Sequence, residues 1–308
     1  MDDQLTSYER AVADDDGAHG LLIERRTAIK QFGFKTAGAV ALGVLATGAA
    51  GVVTSGPAEA QTLTDNDILN FALNTEYVEG EYYLRGLLGQ GLSAVDLTGT
   101  GTQGTVLGGA KVPFQTQAVF DVIQKTATDE VDHIRFLRRV LGSAAVAEPA
   151  IDLLNSFNSL GAAAGLVAPG TQFNPFLNEV NFLLGAFSLT DAGVTAYAGA
   201  IGLLTQSVNI SSSASILAAE ALHDGAIRLL LGQFSQQPAA NAISAVRAKL
   251  GGPYEQGLSI PNLPINIAPT DSDGLVFRRA PIQILSILYN GIRAGGGFLP
   301  NQANGTIK

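Results

Sequence analysis

Apolar residues recur at helical spacing from Ile68 onward. Ile68, Phe71, Ala72, Val78 and Leu84 form one stripe, which Gly86 and Gly89 interrupt. Thr64 precedes that stripe and Asp67 follows it by three residues, the spacing of a capping box, so a first helix is predicted to begin there. A second helix is predicted over about residues 115–141, stopped by Gly142. A third runs over about residues 175–204, opened by Asn174-Pro175, and a fourth is capped by Ser211 to Ser213 and ends near Gly232. Residues 89–113 lack a helical period and read as a Gly/Thr loop, a hairpin or an irregular crossover. Shorter helical stretches are predicted over residues 151–160, 239–250 and 281–290, with a Pro/Asn-rich segment over 253–269. The pattern predicts an all-α fold: a four-helix bundle over residues 61–235 and a C-terminal extension of short helices, 236–308, packed on it.

The first sixty residues follow a different logic. Arg25-Arg26 is followed by a weakly apolar Ala/Gly stretch over residues 37–53 and then by Ala58-Glu59-Ala60 before Gln61. A paired arginine, a mild apolar run and an A-x-A site read as a twin-arginine export signal, cleaved after residue 60. The apolar run is about 17 residues long and weakly hydrophobic, marginal for a bilayer core of about 30 Å. The expected location is therefore periplasmic or extracellular, with no membrane association after cleavage. The acidic leader ahead of the arginines (Asp2, Asp3, Asp14 to Asp16) has no evident role. The chain has no cysteine, which suits a protein that enters an oxidising compartment without disulfides. Its formal net charge is −9, and no basic run follows the leader, which argues against nucleic acid as a partner.

The chemistry concentrates at two places. Of three histidines, His19 falls in the leader, and the other two each follow a glutamate by three residues: Glu130-x-x-His133 and Glu220-x-x-His223. On a helix that spacing places both side chains on one face, where a carboxylate and a neutral imidazole form adjacent metal ligands. Two such pairs, with carboxylates from two further helices, compose the ligand set of di-iron and di-manganese four-helix bundles. The flanking order repeats as well, since Leu137-Arg138 follows the first pair as Ile227-Arg228 follows the second. The arginines are expected near the bundle ends. The first helix offers Glu76, with Glu79 as second choice on the same face as Tyr83, while Glu81 points elsewhere, toward solvent. The third helix offers Glu179 and Asp191. Asp129, beside the first pair, is a candidate to orient an imidazole.

These marks, with Asn70-Phe71-Ala72-Leu73-Asn74-Thr75-Glu76, Asp191-Ala192-Gly193-Val194-Thr195-Ala196-Tyr197, Arg279-Ala280-Pro281-Ile282 and Gly296-Gly297-Phe298-Leu299-Pro300-Asn301, span most of the chain after the leader. The chain resembles the ferritin-like family of exported bacterial proteins and plant desiccation-related proteins. The resemblance implies a carboxylate-bridged pair of iron or manganese ions. Glu130 and Glu220 would bridge, His133 and His223 would be terminal ligands, and Glu76 with Asp191 would cap the pair. The family's third helix often has Glu-Asp where this chain has Thr190-Asp191, so Asp191 could serve only by a shift around the helix of about 100°.

Two functions follow as expectations. One is a dinuclear metal protein with ferroxidase or peroxide-consuming activity in stress protection. The other is a non-catalytic structural or desiccation-protective envelope protein whose metal site has degenerated. The residues alone do not decide between enzyme and scaffold. The apolar, Gly-rich region over residues 282–299 reads as a cover for the bundle or as a homo-oligomer interface.

Overall fold

A computed structural model describes residues 63–292 and 294–308. The export-signal readings at Arg25-Arg26, residues 37–53 and Ala58-Glu59-Ala60, and His19 with them, lie outside the described residues. In chain order the elements are α1 (Asp65–Leu88), α2 (Ala94–Leu97), β1 (Val106–Leu107), α3 (Gln117–Leu141), β2 (Ile151–Asp152) and α4 (Asn155–Ala163). After them come α5 (Glu179–Ala200), α6 (Ser207–Gln233), α7 (Gln237–Gly251) and α8 (Pro281–Leu288). The fold is the all-α bundle that the apolar periodicity predicts. Helix α1 packs chiefly on α3, and α5 on α6; contacts between α1 and α5 join the two pairs, while α3 and α6 meet more sparsely.

The helix starts show where local signals suffice and where they mislead. At α1 the capping box forms as expected: Thr64 Oγ1 accepts from Asp67 N at 3.3 Å, and Asp67 Oδ2 accepts from Thr64 N at 2.8 Å. Helix α5 does not open at Asn174-Pro175. Asn174 instead organises a turn, accepting from Phe176 N at 2.9 Å, and Asn178 is the cap, accepting from Asn181 N at 2.8 Å. Helix α6 begins at Ser207, so Ser211 to Ser213 lie inside it. Its cap comes from another helix. Asp65 of α1 accepts from Thr205 N at 2.9 Å, from Gln206 N at 3.0 Å and from Asn209 Nδ2 at 2.8 Å.

The Gly/Thr loop is a crossover and not a hairpin. β1 pairs in parallel with β2, Val106 opposite Ile151, and a parallel bridge joins Thr100 to Val146. Parallel pairing requires a long connection, here supplied by α3. The C-terminal tail closes the same end, because Asn74 and Asn304 exchange hydrogen bonds of 2.9 Å. Farther along the bundle, the segment before α8 crosses directly over α5 at Gly199, where a Cβ would lie 1.9 Å from Arg279 O. No other residue type fits there. Tyr82, stacked on Phe182 with centroids 4.4 Å apart and donating to Phe182 O at 2.7 Å, anchors an aromatic layer with Phe157 and Phe176. Among the described residues, no helix is long and apolar enough to cross a membrane.

Candidate metal centre

The two Glu-x-x-His pairs face each other across the bundle, each histidine reaching toward the other helix's glutamate. His133 Nδ1 of α3 lies 3.1 Å from Glu220 Oε1 of α6, 3.5 Å from Glu76 Oε2 of α1 and 3.9 Å from its own Glu130. His223 Nδ1 of α6 lies 3.4 Å from Glu130 Oε1 and 3.9 Å from Glu220 Oε1. The two imidazole centroids are 6.2 Å apart. One ligand atom from each of Glu76, Glu130, His133 and Glu220 lies within 4.8 Å of all the others, a grouping that could hold a metal ion.

The centre is buried, and its polar atoms are largely unsatisfied. Glu76 Oε2, both oxygens of Glu130 and of Glu220, and Nδ1 of both histidines have no hydrogen-bond partner of good geometry. Buried donors and acceptors in folded proteins are almost always paired, and leaving carboxylates unpaired in the interior is costly. The titration behaviour reflects that crowding. Burial, then repulsion from Glu220 and Glu76, pushes the Glu130 carboxyl well above its ordinary value, and Glu79 is raised by the same three causes. Burial opposes ionisation of Glu220 as well, but His133 and His223 outweigh it and hold that carboxyl below its ordinary value. Burial would lower both imidazoles. The surrounding carboxylates outweigh it, Glu76 foremost at His133 and Glu220 at His223, so His133 is raised to about 11 and His223 to about 9. Cations therefore complement this site.

A second layer fixes the inner one. The Tyr197 hydroxyl of α5 donates to Glu76 Oε1, leaving Oε2 toward the centre. Asp129 Oδ2 lies 3.0 Å from His223 Nε2 and is itself paired with Lys125. So Asp129 orients the imidazole of the facing helix rather than that of His133, its neighbour in sequence. Fixing one ring nitrogen this way turns the other, Nδ1, toward Glu130 and Glu220. Tyr83 is buried, its ring edge against Tyr82 and Phe182 and its hydroxyl unpartnered.

Three expectations are corrected. Asp191, expected as the third-helix ligand, is not at the centre: Arg228 pairs with it, and Arg247 Nη2 lies 3.0 Å from its Oδ2. Although burial opposes ionisation, Arg247 and Arg228 hold its carboxyl below its ordinary value. The 100° between neighbouring helical positions places Asp191 toward α7 and the segment beyond it, and no shift around the helix intervenes. Arg228, expected near a bundle end, is fully buried in the same network. Glu81 is not solvated either. It is 2% exposed, paired with Arg85, and accepts from Leu92 N at 2.7 Å where the Gly/Thr loop folds back over α1. The one useful signal for Glu81 was the four-residue spacing to Arg85.

Helix α5 thus brings no carboxylate to the cluster, whereas α1 brings two acids to this region, Glu76 and Glu79. Thr190 Oγ1 turns back to Ala186 O at 2.9 Å, a bond within the helix. Gly193, one turn on, has no side chain to offer, and Glu79 lies against it.

The comparisons with known proteins agree with this architecture. A sequence model of the ferritin-like domain matches residues 64–233, the span of the four long helices. The chain belongs to the ferritin-like domain family. A ferritin-like catalase, Nec2 of Nesocodon mauritianus, is 28% identical over 273 residues, covering 79% of this chain and 84% of that protein. The desiccation-related protein PCC13-62 of Craterostigma plantagineum is 28% identical over 245 residues, 72% of this chain and 76% of that protein. As the sequence marks imply, then, this is a ferritin-like protein with desiccation-related kin, and it carries a buried Glu/His grouping fit for metal.

Proposed function

We propose that this ferritin-like protein holds a dinuclear iron or manganese site and uses it to consume hydrogen peroxide outside the cytoplasm. The observation that carries the reading is the set of buried, unpartnered oxygen and nitrogen atoms of Glu76, Glu130, His133 and Glu220 grouped within 4.8 Å of one another, with the unpartnered Nδ1 of His223 3.4 Å from Glu130 Oε1. Carboxylate and imidazole donors suit iron or manganese better than soft metals. A bound pair of such ions supplies two-electron redox chemistry, by which two molecules of hydrogen peroxide yield two of water and one of dioxygen. The relation to a ferritin-like catalase favours peroxide over ferrous iron as the substrate.

The chain's own residues do the positioning. Tyr197 fixes the Glu76 carboxylate, and Asp129 fixes the ring of His223. The surrounding core excludes bulk water. His133 keeps 13% of its side chain exposed, against 7% for His223 and 2% or less for Glu76, Glu130 and Glu220. That partial exposure marks the His133 side as the edge of the centre nearest solvent. Export by the twin-arginine route is supported by Arg25-Arg26 and Ala58-Glu59-Ala60, and it matches a chain without cysteine.

The test is direct. Protein stripped of metal and reloaded with manganese or iron should release oxygen from peroxide, and His133→Ala should lose that release. A loaded protein that leaves peroxide untouched would remove the catalytic reading and favour the envelope scaffold. Recovery from the periplasm with Gln61 as first residue tests the export proposal separately.

A further inference from the structure

Glu79 sits one turn beyond Glu76 on α1, 6% exposed, with Oε2 unpartnered. It faces the notch left by Gly193 on α5. A Cβ at Gly193 would lie 2.6 Å from Glu79 Oε1 and 3.5 Å from Glu220 Oε2, so the Glu79 carboxylate fills the place from which an α5 side chain would enter the centre. Nothing else there claims it. The small cavity of about 10 Å³ beside Glu79 is lined by Val78, Leu189, Ala192, Ile284 and Leu288, with Thr75, whose hydroxyl is spent on Ala72 O at 2.7 Å.

We infer that Glu79 is a further ligand of the metal pair, a carboxylate supplied by α1 across the Gly193 notch in place of one from α5. The inference rests on the dimetal reading above. Charge supports it. Glu76, Glu130 and Glu220 carry three negative charges when ionised, while two divalent cations carry four positive ones. Glu79 supplies the fourth, and an uncompensated charge at this depth would be strongly unfavourable.

The test is a manganese(II) titration of the metal-stripped protein, read by calorimetry and elemental analysis, with helical content followed by circular dichroism. The parent chain should take up two ions. Glu79→Gln, which keeps the volume, should retain its helices and one tight ion while the affinity for the second falls at least tenfold. In Glu79→Ala/Gly193→Asp the second ion should return, because a carboxylate oxygen two bonds from the new Cβ spans the 2.6 Å gap. Glu79→Gln binding both ions with parental affinity overturns the inference and leaves the dimetal reading standing. A parent chain that binds no metal removes the dimetal reading and this inference with it. Should Glu79→Gln fail to fold, Glu79→Ala removes the carboxylate without leaving an amide buried, and parental affinity for the second ion in that variant is equally decisive against it.

Discussion

Among the described residues, two of the buried charge clusters are built on opposite principles. In the first, Asp191, Asp224 and Glu255 meet Arg228, Arg247 and Arg279, and every acid has a guanidinium partner. Arg228 Nε lies 2.8 Å from Asp224, Arg247 Nη2 2.7 Å from Glu255 and Arg279 Nη2 2.8 Å from the other Glu255 oxygen. Arg228 and Arg247 also stack on Phe187, 4.9 and 4.4 Å from its centroid. Backbone carbonyls of Gln256, Gly257 and Asn266 take donors that remain on Arg228. In the second, Glu76, Glu79, Glu130 and Glu220 meet two imidazoles and one hydroxyl, that of Tyr197, and most of their oxygens are unpaired. The first cluster pairs every acid with a guanidinium, and its work is to bind α7 and the segment after it to α5 and α6. The second is incomplete as protein alone, which is what a site awaiting a ligand looks like. Buried charge marks function where it lacks partners, and structure where partners are present.

The sharpest way to break this contrast is to remove one partner from each cluster. Arg247→Ala leaves Asp191 and Glu255 under-compensated in the interior and should cost about 3–5 kcal/mol of unfolding free energy. Chemical denaturation would read it, and a loss below about 1 kcal/mol would mean that the network is not holding the extension. Metal should act only on the other cluster. At a free ion concentration of a hundred times its dissociation constant, one bound ion stabilises by about 2.7 kcal/mol. The thermal shift should vanish in His133→Ala and persist in Glu255→Gln. A cap that serves neither cluster gives the baseline. Asp65→Ala should cost about 2 kcal/mol by freeing the start of α6. Its hydrogen bonds to Asn209, Thr205 and Gln206 outweigh burial and lower Asp65 to about 2. Because the folded value lies below the unfolded one near 3.9, its contribution is complete above about pH 4 and is lost as pH falls toward 2. Stability curves of parent and variant should therefore converge on that acid limb. The smallest effect is opposite in sign: Glu130→Gln relieves repulsion in the metal-free protein and should stabilise it by about 1 kcal/mol while abolishing metal uptake. Destabilisation there would show the acids to be paired in some way the geometry does not reveal.

The same contrast explains what the sequence made legible. Four long helices followed from apolar periodicity, because the bundle buries stripes at a spacing of three to four residues. The Glu-x-x-His pairs were visible for an equally local reason, since three residues on a helix fix a common face. What escaped depended on distant partners. Whether Asp191 turns to the metal centre or to Arg228 and Arg247 is decided by packing against α6 and α7, which no local pattern encodes. The early start of α6 escaped because its cap, Asp65, belongs to α1. Glu81 read as solvated because the loop that buries it has no helical period, and only the folded chain brings Leu92 N to it. The role of Gly193 lay in the absence of a side chain, which a search for ligand residues passes over.

The most direct measurement is anomalous diffraction from crystals grown with manganese, recorded at the manganese absorption edge. The account predicts two peaks between Glu130 and Glu220, with Nδ1 of His133 and of His223 each in coordination range and none near Asp191. A centre without anomalous density at saturating manganese, its carboxylates hydrogen-bonded to one another as protonated acids, would contradict it.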